Sequence, residues 1–237
     1  MHPSDKRTRF SAGLGVALLL QAVTSLVSGS LFLGPFTDKS DILGVIQSTA
    51  AAVPMARVAT LIDVVTALTI IWLAVMFYRL TRDTHPVLST LALALYVTEA
   101  GILLLSKAFA FGFIQASILA AGQPGETGVF VARTLLSLKD ICYTLHMIPC
   151  GVGAVLFYAL IARNGALPKW LPLWGLIAII PVWISSILKL LGIELPIYVT
   201  LPYAPFEFFA AIYILIRGLA TPNVAPREAF ESSNNLS

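Results

Sequence analysis

Charge is the first thing this sequence has little of. Only 11% of its 237 residues are Asp, Glu, Lys or Arg, against about 25% in an ordinary soluble domain. Meanwhile 58% are hydrophobic and the mean hydropathy is +0.88. A water-soluble fold lacks the polar surface to cover that much apolar chain, whereas a bilayer removes the need for such a cover. The formal net charge of +3 is too small for a nucleic-acid surface.

Cysteine is scarce too. Cys142 and Cys150 lie in one apolar segment, about 12 Å apart along a helix axis. A disulfide needs Cα atoms within about 7 Å, so these two do not pair with each other. CxxC and CxxCH patterns are absent, which removes support for zinc ribbons and attached haem. A bundle that binds b-type haem uses paired axial histidines, and only His146 falls in a span. HExxH-like spacing is also missing. His146, Asp63 and Glu207 could supply three ligands to a metal, but no spacing argues for it, so neither metal nor cofactor is expected.

What is present is a series of long apolar runs. Six reach the roughly 20 residues that cross a hydrocarbon core of about 30 Å: Phe10–Leu33, Val58–Tyr78, Val87 to about Ile114, Ile141–Ile161, Trp170–Leu191 and Leu195–Ile216. Open sheet edges do not survive in lipid, so the runs are helices. The expected fold is an all-α polytopic transmembrane bundle of about six spans. It forms one domain over residues 1–218, followed by a disordered cytoplasmic tail over 219–237 that is rich in Pro, Ser and Asn. Lys6, Arg7 and Arg9 precede the first run, which is too long for a signal-peptide core and reads as a retained helix.

Breakers punctuate the runs: Gly34-Pro35, then Arg79 to Pro86, then Gly122 to Gly125, then Asn164 to Pro168, and finally Gly192 to Pro196. Ser40 to Ala56 mixes apolar and polar residues and reads as an interfacial helix. Gly128 to Asp140 reads either the same way or as an extension of the fourth span.

Basic residues set the orientation. Lys6, Arg7, Arg9, Arg79, Arg82, Arg163, Lys169, Arg217 and Arg227 gather on one side; Lys39, Arg57, Lys107, Arg133, Lys139 and Lys189 fall on the other. This bias places both termini in the cytoplasm of an inner (plasma) membrane.

Ionisable groups within spans are costly and turn toward a bundle interior or a wet cavity. Asp63, Glu99, Lys107, His146 and Glu207 are the candidates. At about 1.5 Å of rise per residue, all five fall between the midplane and the outer surface. Two acids at one depth can share a proton or a cation, which makes a polar pocket in the outer half the sharper reading. The plainer reading is that these groups pair across helices to fix packing, and Lys107 could instead extend to the interface. Pro202 and Pro205 precede Glu207, so the sixth run is either a kinked helix or a broken one beside an acid, as at transporter sites. Pro149 is a second weak point. Gly151-x-Gly153 lacks a preceding strand, so close helix packing explains it better than nucleotide binding. Ser185, Ser186, Thr98 and Cys150 are nucleophile types with no visible base partner.

The fourth and fifth spans carry a resemblance. His146, Gly151-x-Gly153, the turn Arg163-Asn164-Gly165-Ala166-Leu167-Pro168-Lys169-Trp170-Leu171 and Gly175 are similar to a bacterial membrane family known as domain of unknown function 4386. Arg57 and Asp63, and Glu207 in the last span, look like that family's charged positions. Arg57, Gly151, Gly153, Pro168 and Trp170 would then be family-like structural residues. Pro149 and Cys150 depart from the pattern, which tends to have Tyr and Gly there. The resemblance implies a multi-pass membrane fold and supplies no activity.

The functional expectation is therefore a membrane protein that binds or transports a small molecule or an ion, in a proton-linked manner. The alternatives are an intramembrane enzyme acting on a lipid or isoprenoid-like substrate, and a non-catalytic subunit or sensor. Its partners would be the bilayer and a small-molecule or cation ligand, with no nucleic acid. Its size leaves room for a homodimer.

Overall fold

The computed structural model describes residues 3–33, 41–122 and 125–220. Its helices in chain order are α1 (Pro3–Leu33), α2 (Ile42–Ala51), α3 (Val53–Thr81), α4 (Pro86–Gly122), α5 (Glu126–Leu145), α6 (Met147–Asn164), α7 (Trp170–Leu190) and α8 (Tyr203–Arg217), with a 3₁₀ turn at Ile197–Val199. No strand occurs among the described residues. Among the described residues five stretches are long and apolar enough to cross a membrane: Arg7–Gly29, Val53–Thr81, Pro86–Gly122, Glu126–Asn164 and Trp170–Leu190. The chain is a multi-pass membrane protein built as a polytopic helical bundle.

The sixth expected span is not one helix. Pro202 caps α8 and Pro205 lies in its first turn, where the missing N–H costs nothing. The chain from Gly192 to Leu201 holds only the 3₁₀ turn. The 15-residue α8 is about 22 Å long, short of a full crossing. The broken form of this segment is the one the structure adopts.

The third and fourth spans exceed their sequence bounds. Helix α4 runs 37 residues, about 55 Å. The α5–α6 path runs 39, interrupted only at His146. The extension alternative thus describes Gly128–Asp140, and α2 packs on the hairpin that results. Val45 and Ile46 of α2 meet Phe113 and Ala116 of α4 and Ala132 and Leu136 of α5. This small second core holds α2 against α4 and α5.

In the main bundle, α1 packs between α3 and α8, α3 continues to α4, and the α5–α6 path lies between α4 and α7. Helix α7 then meets α8, closing a ring. Small residues allow the close approaches. A Cβ on Gly151 would collide with the Trp183 ring, and one on Gly153 would lie 2.7 Å from Tyr96. The glycine pair therefore seats α6 against α7 and α4, as packing motifs in membranes do.

At the bundle end opposite α2, Asn164 fixes the α6–α7 turn. Its Nδ2 donates to the Leu80 carbonyl at 2.9 Å, and its Oδ1 accepts from Ala166 N at 2.9 Å. Gly165 takes φ +70°, a left-handed value that glycine adopts without strain. Trp170 stacks edge-on against Phe209 and Tyr213 of α8. Leu219 and Ala220, expected in the free tail, are bound instead. Leu219 N donates to Ser11 Oγ, its carbonyl accepts from Arg7, and Ala220 N donates to the Ala166 carbonyl. The Gly34-Pro35 break, Lys39, Pro124 and the tail with Pro222, Pro226 and Arg227 lie outside the described residues.

Candidate functional site

A cavity of about 480 Å³ lies inside the ring, in the half of the bundle nearer α2. It is bounded by the second half of α1, by α3, by the middle of α4, by the α5–α6 junction and by the start of α8. Asp63, Glu99, His146 and Glu207 all line it. Lys107 reaches its edge by pairing with Asp63. Arg57 is exposed near the start of α3, outside the lining.

Each polar group is placed by a local feature. Pro149 has no N–H for the Leu145 carbonyl, and its ring crowds that carbonyl. The helix breaks one residue later in the chain, at His146, and the imidazole lines the cavity. Asp63 and Lys107 meet across α3 and α4 at 2.6 Å, with side chains 15% and 7% exposed. The Lys107 ammonium also sits 4.7 Å from the centre of the Tyr143 ring, and Tyr143 in turn packs on His146 at 5.0 Å between ring centres.

The deeper acids have a different setting. Glu99 is buried on α4 beside the Cys150 thiol, and its Oε2 has no hydrogen-bond partner. Glu207, one turn into α8, accepts from Gln21 Nε2 at 3.2 Å and lies beside Tyr203. The Tyr203 and Tyr158 hydroxyls are 3.3 Å apart. Among the described residues no Lys or Arg pairs with Glu99 or Glu207. His146 is equally short of partners. The carbonyls of Cys142 and Tyr143 flank its ring, yet none meets Nδ1 at hydrogen-bond geometry.

The cavity is closed on the side away from α2 by a layer of rings: Phe77, Tyr96, Phe157, Tyr158 and Phe206, with centres 5.3 to 6.4 Å apart. Beyond that layer is a void of about 20 Å³, sharing Leu18 and Tyr158 with the cavity wall. Toward α2 the lining residues Ser25, Leu26, Tyr143 and Ala204 are exposed and form the mouth. Among the described residues no three of His, Cys, Asp and Glu converge as a metal-ligand set.

The pattern of a protein family described as a domain of unknown function (DUF4386) matches residues 14–218. The chain belongs to this family. No curated protein and no solved structure matches it. In this DUF4386 protein the matched region contains every cavity-lining residue. Of the residues that resemble the family pattern, Gly151, Gly153, Pro168 and Trp170 serve packing and turns.

Gln21, Tyr96, Tyr143, Tyr158 and Tyr203 also line the cavity, and none of them stands out in the sequence as a charged group does. Gln21 had a usable signal, since an amide inside an apolar span requires a partner. The tyrosines had none, because interfacial and core tyrosines look alike in sequence. Ser186 and Thr98 donate to carbonyls four residues earlier, at 2.9 Å each, the ordinary role of hydroxyls in a membrane helix.

Proposed function

We propose that this protein binds a small molecule in the ring cavity and carries it across a bacterial inner membrane in exchange with protons. The observation that supports this reading is the meeting of Asp63, Glu99, His146 and Glu207, from four separate elements, on one cavity. Its volume falls within the roughly 300–1,000 Å³ typical of ligand pockets, as does its mixture of apolar walls and a few polar groups. The carboxyls supply proton-exchanging sites. The groups facing them are Cys150, His146, Tyr96, Tyr158, Tyr203 and the Asp63–Lys107 pair. An unpaired charge in such a place is expensive, so each free carboxyl travels with a proton or with a cation. The ring layer and the void beyond it suit a closed gate on the pathway.

The test begins with binding. Compounds of all charge types are screened for their effect on the melting temperature of the detergent-solubilised protein. At least one compound raises it by a few degrees, and Ala204→Trp, which fills the mouth, removes that rise. Proteoliposomes then accumulate the compound under a pH gradient, and Glu99→Gln and Glu207→Gln abolish accumulation. A library without a hit, or hits that persist in the blocked variant, would defeat the reading.

A second reading draws on Glu99, Cys150 and His146 lining one wall. An acid, a thiol and an imidazole there suit an intramembrane enzyme acting on a lipid. It predicts that Cys150→Ser alters the host lipid profile while leaving uptake intact.

A further inference from the structure

Resting on the reading of the cavity as a ligand pocket, we infer that its ligand is an organic cation with an apolar body. Asp63 is neutralised by Lys107 at 2.6 Å. That leaves Glu99 and Glu207 as acids without a basic partner among the described residues. Their polar neighbours are neutral groups: the Gln21 amide, the Cys150 thiol and the Tyr203 hydroxyl. Glu99 is 4% exposed, and its Oε2 is unpartnered. Among the described residues no Lys or Arg lines the cavity to receive an anionic ligand, and Lys107 at its edge is already paired with Asp63.

The walls narrow the class further. Four tyrosines and Phe208 present rings to the cavity, and ring faces attract cations. The protein already shows this behaviour, since the Lys107 ammonium sits over Tyr143. Leu18, Leu73, Leu103 and Val182 complete an apolar surface. A bare hard cation takes six to eight oxygens at short range, which a roomy pocket walled by rings and leucines does not offer. An alkyl- or arylammonium satisfies both features. Its charge would lie by Glu99 and Glu207, and its body would lie against the rings and aliphatic walls.

The test uses three probes that share a benzyl group: benzyltrimethylammonium, its uncharged isostere neopentylbenzene, and the anion 3-phenylpropionate. Radiolabelled benzyltrimethylammonium is titrated against the full-length protein in detergent, with the other two as competitors. We expect saturable binding that neither competitor displaces. Glu99→Gln and Glu207→Gln weaken it about tenfold or more, while Glu207→Asp, which keeps the charge, stays within a few-fold of the parent. Each variant is checked for monodisperse elution and helical circular dichroism. Binding of the cation that the neutral or anionic probe displaces equally well, binding indifferent to the loss of both carboxyls, or no cation binding by the folded parent would each overturn the inference. The charge-blind library screen with Ala204→Trp still judges the pocket itself, so the two readings fail separately.

Discussion

Lys107 Nζ and Asp63 Oδ2 lie 2.6 Å apart and join α4 to α3 within the bundle. Neither side chain is more than 15% exposed, so each relies on the other for neutralisation. Removing one partner from such a pair costs about 3–5 kcal/mol, because the survivor is left as a buried charge. Lys107→Met alone is therefore expected to lower the melting temperature in detergent sharply. Adding Asp63→Leu should recover most of the loss, since exchanging both members for apolar residues is close to neutral. A double variant no more stable than Lys107→Met would show that the pair is not the cause.

Pro149 leaves the Leu145 carbonyl without its helical N–H donor, next to His146, which lines the cavity. With Ala at 149, an N–H becomes available to the Leu145 carbonyl and the ring clash disappears, so α5 and α6 should fuse into one straight helix. In a background with Cys142→Ser and Cys150→Ala, a cysteine replacing His146 should react with a membrane-impermeant thiol reagent. Adding Pro149→Ala should slow that labelling several-fold while the protein still elutes as a folded species. Equal labelling rates with and without the proline would refute a positioning role for the kink.

Asn164 holds two backbone groups in a buried turn, the Leu80 carbonyl and the Ala166 N–H. Asn164→Ala strands both, and each unsatisfied buried group costs about 1–3 kcal/mol. Asn164→Asp keeps an acceptor for Ala166 but loses the donor to Leu80 and buries a charge. The expected order of thermal stability is Asn, then Ala, then Asp. An Asp variant as stable as the parent would mean that the turn is held by other contacts.

The membrane fold could be read directly from the chain, but the helix bounds could not. Long apolar runs specify a helix in lipid whatever their neighbours are, because every backbone N–H and C=O must be satisfied within the segment. The ends of α4 and α5 follow a different rule. They continue to Gly122 and back from Glu126 because Phe113, Ala116, Ala132 and Leu136 find each other and α2. That packing is non-local, and no window of hydropathy contains it. The break before α8 was visible in Pro202 and Pro205, although its consequence, a last helix too short to cross alone, was not.

The candidate site divides along the same line. Asp63, Glu99, Lys107, His146 and Glu207 stand out in sequence because charge is rare inside apolar spans, and counting helix rise assigns them all to one half of the membrane. Which of them meet was beyond that arithmetic, because depth constrains one coordinate and leaves rotation about each helix open. Lys107 pairs with Asp63 on α3, and not with Glu99 on its own helix. Glu207 finds Gln21, 186 residues away in the chain.

By itself, then, the sequence determined that this protein is a helical bundle in a membrane with a handful of ionisable groups within its apolar runs, since those follow from composition and the length of the runs. Only the tertiary structure decided that Asp63 is neutralised while Glu99 and Glu207 are not, and that tyrosines from several elements enclose them. The physical reason is that charge compensation depends on distances of a few ångströms between side chains on different helices. Those distances depend on how closely the helices approach, as Gly151 and Gly153 allow for α6 against α7 and α4.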